Sequence, residues 1–113
     1  MTTTLERPDT SSPVHSRTFL EIRKLRAGGL ELVSAHEAML LLTLLDEGPI
    51  AMSHAARVVG ISRAAMTSMV DRLERMSLVN RAVSADDRRI TDIGLSKKGY
   101  AAVIAALDSD LEA

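Results

Sequence analysis

The sequence predicts a mainly α-helical protein with one small β-hairpin. Apolar residues make up 46% of the 113 residues, whereas aromatic residues make up only 2%. The core therefore has to be aliphatic, and a core rich in Leu and Ala suits closely packed helices better than a sheet. Apolar residues also recur at helical spacing in several segments. A chain of this length forms one domain.

The first predicted helix covers residues 16–27. Phe19, Ile22 and Leu25 follow one another at three-residue steps, and Gly28-Gly29 ends the helix. Residues 1–15 contain Thr, Ser and two Pro without apolar periodicity, so we expect a flexible N-terminal tail there. The domain is accordingly predicted to span residues 16–113.

The second predicted helix covers residues 35–46 and forms the centre of the core. Ser34 and Glu37 have the spacing of a capping box, in which each side chain bonds the backbone amide of the other. The helix is apolar on nearly every side, which is typical of a helix buried all round. Gly48-Pro49 ends it, and residues 50–52 are long enough for one edge strand.

Two short helices joined by a glycine turn come next. Ser53 is predicted to cap a helix over residues 54–59, Gly60 to form the turn, and Ser62 to cap a helix that ends near Met76. Apolar residues of the second helix recur at positions i, i+3, i+4 and i+7, which predicts that one face of this helix is buried. These residues are Met66, Met69, Val70 and Leu73. This arrangement is a helix-turn-helix.

A hairpin and a last helix complete the chain. Residues 78–83 and 90–95 are predicted strands joined by the charged loop 84–89, and Ser96 caps a helix that runs to residue 112. The predicted order α-α-β-α-α-β-β-α is that of a winged helix-turn-helix.

Charge and composition exclude several classes of function. The net charge is −1, but residues 57–89 hold seven Arg against four acidic residues, a local charge of +3 that suits a DNA-binding face. There is no Cys and the three His are isolated, so we expect neither a metal site nor a cofactor. No catalytic constellation is present, and no apolar run or signal peptide indicates a membrane or export, so we expect a cytoplasmic non-enzyme.

The exposed face of the helix after Ser62 is the first candidate DNA contact. Short side chains near its start would let it enter a major groove, where Arg63 can bond guanine while Thr67 and Ser68 reach bases or phosphates. The predicted DNA-binding residues on this helix are Ser62, Arg63, Ala64, Thr67, Ser68 and Arg72.

The hairpin tip is the second candidate contact. Asp86 and Asp87 can bond backbone amides and fix the shape of the loop. Arg88 and Arg89 would then point outward, toward a narrow minor groove whose negative potential attracts arginine.

Residues 61–79, with the sequence ISRAAMTSMVDRLERMSLV, resemble the recognition helix of the MarR family of bacterial regulators. Asp87-Arg-Arg89, Leu95-Ser96 and Gly99 are similar to the wing signature of that family, with Ser96 where Thr is usual. The resemblance covers about residues 36–102. It implies a homodimer on a pseudo-palindromic DNA site, each recognition helix in a major groove and each wing Arg in a minor groove.

Two apolar stripes on the terminal helices, 16–27 and 96–112, lead us to expect a dimer interface. Its candidate residues are Phe19, Ile22, Leu25, Tyr100, Val103, Ile104, Leu107 and Leu111. The alternative is that the last helix only folds back on its own domain.

Two classes of function remain open at this point. One is a transcriptional regulator, most simply a repressor, that binds double-stranded DNA and responds to an unidentified small effector if it has one. The other is a winged helix used as a protein-interaction module without DNA binding. The paired Asp and Arg residues of the hairpin tip favour the first, because a protein-docking module does not need them there.

Overall fold

The computed structural model describes the backbone of residues 13–108 and the side chains from residue 19 onward. The elements, in chain order, are α1 (Pro13–Ala27), α2 (Ala35–Glu47), β1 (Ile50–Ala51), α3 (Met52–Val59), α4 (Arg63–Arg75), β2 (Val79–Val83), β3 (Thr91–Leu95) and α5 (Lys97–Leu107). The predicted fold class and element order are therefore confirmed.

The termini differ from the expected bounds. Helix α1 covers Pro13–Ala27 and so includes residues 13–15, which precede the expected start at residue 16. Helix α5 ends at Leu107, with Asp108 as its C-cap residue, rather than at residue 112. Residues 1–12 and 109–113 lie outside the described residues.

Serine caps fix the start of three helices. Ser34 Oγ accepts from the Glu37 amide at 3.1 Å, and the Glu37 carboxylate accepts from the Ser34 amide at 2.7 Å, which is the predicted capping box. Ser62 and Ser96 cap α4 and α5 as expected, through their side-chain oxygens alone, which accept from the amides of Ala65 and Gly99. These caps satisfy amides that the first turn of a helix leaves free.

The cap predicted at Ser53 is wrong, because α3 begins at Met52 and its N-cap residue is Ala51, without a side-chain bond. Strand β1 explains the difference. It pairs with β3 through Ile50↔Ile93 and Ala51↔Asp92, so the chain passes directly from the sheet into the helix. Strand pairing, rather than a capping side chain, sets the start of α3.

A three-stranded antiparallel sheet carries the hairpin. Its strand order is β1-β3-β2, and β2 and β3 pair from Val79↔Leu95 to Val83↔Thr91. Loop 84–90 therefore projects from the paired ends of two strands. Helix α2 lies at the centre of the core, where it contacts α1, α3, α5 and β3. The largest fully buried side chains of the core are Leu25, Leu40, Leu41, Met66, Leu73, Ile93, Val33, Val70, Val79 and Val103.

Helix α5 packs against α1 of the same chain. Leu25 and Val103 are completely buried between these helices and the rest of the core. Gly28 makes the close approach possible, since a Cβ there would lie 2.8 Å from the Ala106 Cα. Lys24 Nζ also donates to the Leu107 carbonyl at 3.3 Å. Much of the predicted apolar stripe is thus covered within one protomer.

The expected dimer interface has to be corrected accordingly. Leu25 and Val103 are buried in the core of the protomer and are not available to a second copy. Ile22 and Leu107 pack against that core as well, and Ile104 is half-buried. Phe19 and Tyr100 remain exposed, at 65% and 56% of their surface. Leu111 lies outside the described residues.

The end of α4 places a serine in a conformation that favours glycine. Ser77 has φ +63°. Its amide donates to the Glu74 carbonyl at 2.9 Å, and the Leu78 amide donates to the Leu73 carbonyl at 2.9 Å. This is the hydrogen-bond pattern of a Schellman motif, in which the left-handed residue is most often glycine. Ser77 therefore has backbone strain that a glycine would not have.

We expect Ser77→Gly to raise the free energy of unfolding by about 0.5–1 kcal/mol, because glycine adopts a positive φ without steric cost. Urea denaturation of the purified protein measures the change. Ser68→Gly is the matched control, since Ser68 is exposed inside α4, where glycine lowers stability. A loss of stability in both variants would contradict the assignment of strain to Ser77.

Candidate nucleic-acid interface

Helix α4 presents a row of small and polar side chains to solvent. Met66, Val70 and Leu73 are buried on one side. The exposed side carries Ser62, Arg63, Ala64, Thr67 and Ser68, as predicted from the helical spacing. Ser62 Oγ is occupied as the cap of the helix, where it accepts from the Ala65 amide at 3.1 Å. Thr67 Oγ1 donates to the Arg63 carbonyl at 3.0 Å, which leaves its oxygen lone pairs facing solvent.

Arg72 differs from the other predicted DNA-binding residues of α4, because its guanidinium group is bonded within the protein. Its Nη1 donates to both carboxylate oxygens of Glu37, at 2.6 and 2.7 Å, and its Nη2 donates to the Leu32 carbonyl at 2.7 Å. The guanidinium group is therefore turned toward the start of α2. Helical spacing predicted that Arg72 was exposed, and 42% of its side chain is exposed. The buried Glu37 carboxylate nevertheless attracts the guanidinium group toward α2.

Arg81 of β2 contacts α4 from the hairpin. Its guanidinium group bonds the Asp71 carboxylate and lies 3.5 Å from the Thr67 carbonyl. Glu74 lies 3.9 Å from Arg81 Nε. Arg81 counted toward the basic charge of this segment, yet these acidic neighbours neutralise it. It serves to link α4 to the hairpin.

The hairpin tip is organised by Asp87. The Asp87 carboxylate accepts from the Arg89 backbone amide at 3.0 Å and from Arg89 Nε and Nη2 at 3.1 and 2.9 Å. The Ile90 amide donates to the Asp87 carbonyl, and the Ser84 amide donates to the Ile90 carbonyl. One carboxylate thus fixes both the turn and the direction of the Arg89 side chain.

The other residues of the tip have simpler environments. Asp86 takes part in the turn through its backbone amide, which donates to Ser84 Oγ at 3.3 Å. Both aspartate carboxylates were expected to fix the shape of the loop. The bonds that do so are made by the Asp87 carboxylate. Arg88 is exposed, and 89% of the Arg89 side chain is exposed despite its bond to Asp87.

The bond to Arg89 lowers the pKa of Asp87 below its ordinary value, through the side chain first and the backbone amide second. Because folding lowers the pKa of Asp87, the Asp87–Arg89 bond stabilises the folded state fully at pH values above the Asp87 pKa of the unfolded chain. This stabilisation is lost as the pH falls through the lowered pKa of the folded state. We expect an NMR titration of Asp87 to show the lowered pKa, and Arg88→Ala to leave the shift in place. Arg89→Ala should reduce the shift without abolishing it, because the backbone amide of residue 89 still donates to the carboxylate. An ordinary pKa in the unmodified protein would contradict the geometry.

The start of α4 and the base of the hairpin meet across one cleft. Its volume is about 160 Å³, and Arg63, Thr67 and Arg89 line it from both sides. Ser53 and Thr91 also line the cleft. Sequence reasoning missed these two hydroxyl groups, since only the pairing of β1 with β3 brings them next to α4. The cleft joins the two predicted DNA contacts into one continuous surface.

Arg75 is a further residue that sequence reasoning did not select. It is exposed, and it lies seven residues after Ser68 and eleven after Ala64, on the same side of α4. The helical spacing that identified Ala64 and Ser68 was sufficient to find it. Arg75 extends the basic character of this face to the last turn of the helix.

A second surface, formed mainly by α1, is apolar. Phe19 and Ile22 line an open cavity of about 620 Å³ beside Arg23, Arg26 and Ala35. The Arg23 guanidinium lies 5.9 Å from the centre of the Phe19 ring. Within residues 13–108, no helix is both long and apolar enough to cross a membrane.

The sequence is similar to that of a curated protein. The HTH-type transcriptional repressor MdtR of Bacillus subtilis (strain 168) is 31% identical over 67 residues, which are 59% of this chain and 43% of MdtR. The chain thus matches less than half the length of that curated relative.

Solved structures extend the similarity over most of the fold. A MepR-like protein complexed with pseudoligands has a TM-score of 0.65 and 28% identity over 83% of this chain and 65% of its own. Overoxidized AbfR bound to DNA has a TM-score of 0.63 and 25% identity over 88% of this chain and 76% of its own. The MarR family model matches residues 33–91, just over half of the chain. The protein is therefore a member of the MarR family.

Proposed function

We propose that this chain is a transcriptional regulator that binds double-stranded DNA at specific sites, acts as a repressor and works as a homodimer. One observation carries the proposal. The exposed start of α4 and the oriented Arg89 of the hairpin meet across a single cleft, so one protomer offers a helix and an arginine to adjacent grooves.

The α4 face fits the major groove of DNA. The groove is about 12 Å wide, and a helix enters it only where its side chains are short. Ala64, Thr67 and Ser68 meet that condition, and Arg63 has the planar donors that bond guanine O6 and N7. We infer that Arg63 reads a base while the hydroxyl groups contact bases or phosphates.

The hairpin fits the minor groove. Asp87 holds the Arg89 side chain in one direction, which lowers the conformational entropy lost when DNA binds. A partly neutralised arginine still interacts with a narrow minor groove, where the negative potential is strongest. Arg88 is exposed beside it and is a candidate phosphate contact.

The relatives support this proposal by what their names state. MdtR is described as a transcriptional repressor, and the AbfR structure contains DNA. A homodimer would place two α4 helices on one duplex. We propose that Phe19 and Tyr100, the exposed members of the two apolar stripes, lie in the dimer interface. Light scattering at micromolar concentration tests this, and a monomer would refute it.

A mobility-shift titration tests the DNA-binding proposal. The purified protein is titrated against the intergenic DNA upstream of its own gene, with random duplex as competitor, at two salt concentrations. We expect saturable, salt-sensitive binding that survives the competitor. Equal binding to both duplexes would indicate a non-specific role. Absence of binding at low salt would favour the protein-interaction function instead.

A further inference from the structure

We propose that Glu37 and Arg72 form a clamp that positions helix α4 for DNA, and that Arg72 is a positioning residue rather than a DNA contact. This inference rests on the proposed DNA-binding function and assigns a part of its machinery. The clamp consists of the Glu37 carboxylate, the Arg72 guanidinium and the Leu32 carbonyl, which come from α2, α4 and the α1–α2 connection.

The hydrogen bonds of the clamp hold Arg72 against α2 and the α1–α2 connection. Glu37 is only 5% exposed. Its carboxylate accepts from Arg72 Nη1 through both oxygens and from the Ser34 amide, while Arg72 Nη2 reaches the Leu32 carbonyl at 2.7 Å. Charge-assisted bonds of this length are strong and directional. The three bonds made by Arg72 therefore restrain the rotation of α4 about its own axis, while the Ser34 amide holds the Glu37 carboxylate in place.

The packing of α4 explains why polar bonds are required to fix its orientation. Helix α4 packs against α3 and β2 through its buried stripe, which leaves its two sides to be fixed by polar groups. Arg81 bonds Asp71 on the side of the hairpin, and Arg72 bonds Glu37 on the side of α2. Both restraints act on the second half of α4, after the proposed DNA-contacting residues 62–68. Base readout requires side chains held within about 0.5 Å of their working position.

Two variants separate positioning from DNA contact. Glu37→Gln removes the carboxylate charge, and Arg72→Lys keeps the cation but cannot bond Glu37 and the Leu32 carbonyl together. Arg72→Ala is less useful, since it would leave a buried carboxylate without its cation and destabilise the whole fold. Glu31→Gln is the matched control, because Glu31 is exposed in the same connection and the change in charge is identical.

Binding is measured on specific and random duplex across a salt series, at a temperature where urea denaturation shows each variant folded. We expect Glu37→Gln and Arg72→Lys each to lower specific affinity about tenfold and to reduce the ratio of specific to random binding. The slope of log affinity against log salt should stay unchanged, since no phosphate contact is lost. Glu31→Gln should retain the wild-type ratio.

Two results would overturn the proposal. If Arg72 is a DNA contact restrained by Glu37, Glu37→Gln will raise affinity and steepen the salt slope, while Arg72→Lys will bind nearly normally. If the pair only stabilises the fold, both variants will lose stability but bind with unchanged affinity once folded.

Hydrogen exchange of the α4 amides, measured without DNA, tests the clamp independently of the proposed DNA-binding function. We expect the amides of Arg63–Arg75 to exchange faster in Glu37→Gln than in Glu31→Gln, beyond any change in global stability. Unchanged exchange would contradict the clamp even if the wild-type protein binds DNA. Faster exchange in a protein that binds no duplex would instead contradict the proposed function alone.

Discussion

Gly99→Ala is expected to lower the free energy of unfolding by about 3 kcal/mol or more. A Cβ at Gly99 would lie 1.9 Å from the Leu78 carbonyl oxygen and 2.8 Å from the Leu78 carbonyl carbon. The obstacle is backbone, so no side chain can move aside. The same Leu78 carbonyl accepts from the Ser96 amide at 3.0 Å, so shifting it would break the entrance to α5.

Gly94→Ala is the matched control for this substitution. The nearest atom to a Cβ at Gly94 is the Pro49 Cγ at 3.3 Å, a side-chain atom that can yield slightly. We expect Gly94→Ala to stay within about 1 kcal/mol of wild type. Urea denaturation, or thermal melting followed by circular dichroism, measures both variants. Equal stability of the two variants would show that α5 does not need the close approach at Leu78.

Arg63→Ala should weaken binding to the specific site by about 1–3 kcal/mol and relax the preference at one base pair. Arg63 is exposed in the first turn of α4 and lines the cleft shared with the hairpin. Loss of a cation at a helix N-terminus does not destabilise the helix, so the effect belongs to binding. Quantitative mobility shifts on single-base variants of the site measure it.

The hairpin arginines should behave differently from Arg63. Arg88→Ala combined with Arg89→Ala is expected to weaken specific and random binding more equally and to flatten the salt slope by up to about two units. The difference follows from what each group meets, since phosphates carry no sequence information and base edges do. Equal losses on specific and random DNA for both Arg63→Ala and the double variant would contradict this division of roles.

Local signals in the sequence predicted most of the fold and much of the interface. The Ser34–Glu37 capping box, the Ser62 cap and the buried stripe of α4 each depend on residues within a few positions of one another. Such signals can be read from the order of residues alone. The Asp87 turn was predicted on the same basis, because the carboxylate bonds groups only two residues away.

Features that depend on distant segments were not predictable. Glu37 was interpreted as half of a capping box, and nothing local indicated that the same carboxylate also bonds Arg72, 35 residues later. Periodicity showed apolar stripes on α1 and α5 but could not show that Leu25 and Val103 pack within one chain. The requirement for Gly99 likewise arises only when α5 docks against the carbonyl that precedes β2.

Chemical-shift mapping of the isotope-labelled protein on the duplex that it binds tests the central claim most directly. The claim is that one continuous face, formed by the start of α4 and the hairpin tip, contacts DNA. We expect the largest shifts at the amides of residues 62–68 and 86–89, with small changes in the buried part of α2. Shifts confined to α1 and α5, or none at saturating duplex, would contradict the account and place its function elsewhere on the molecule.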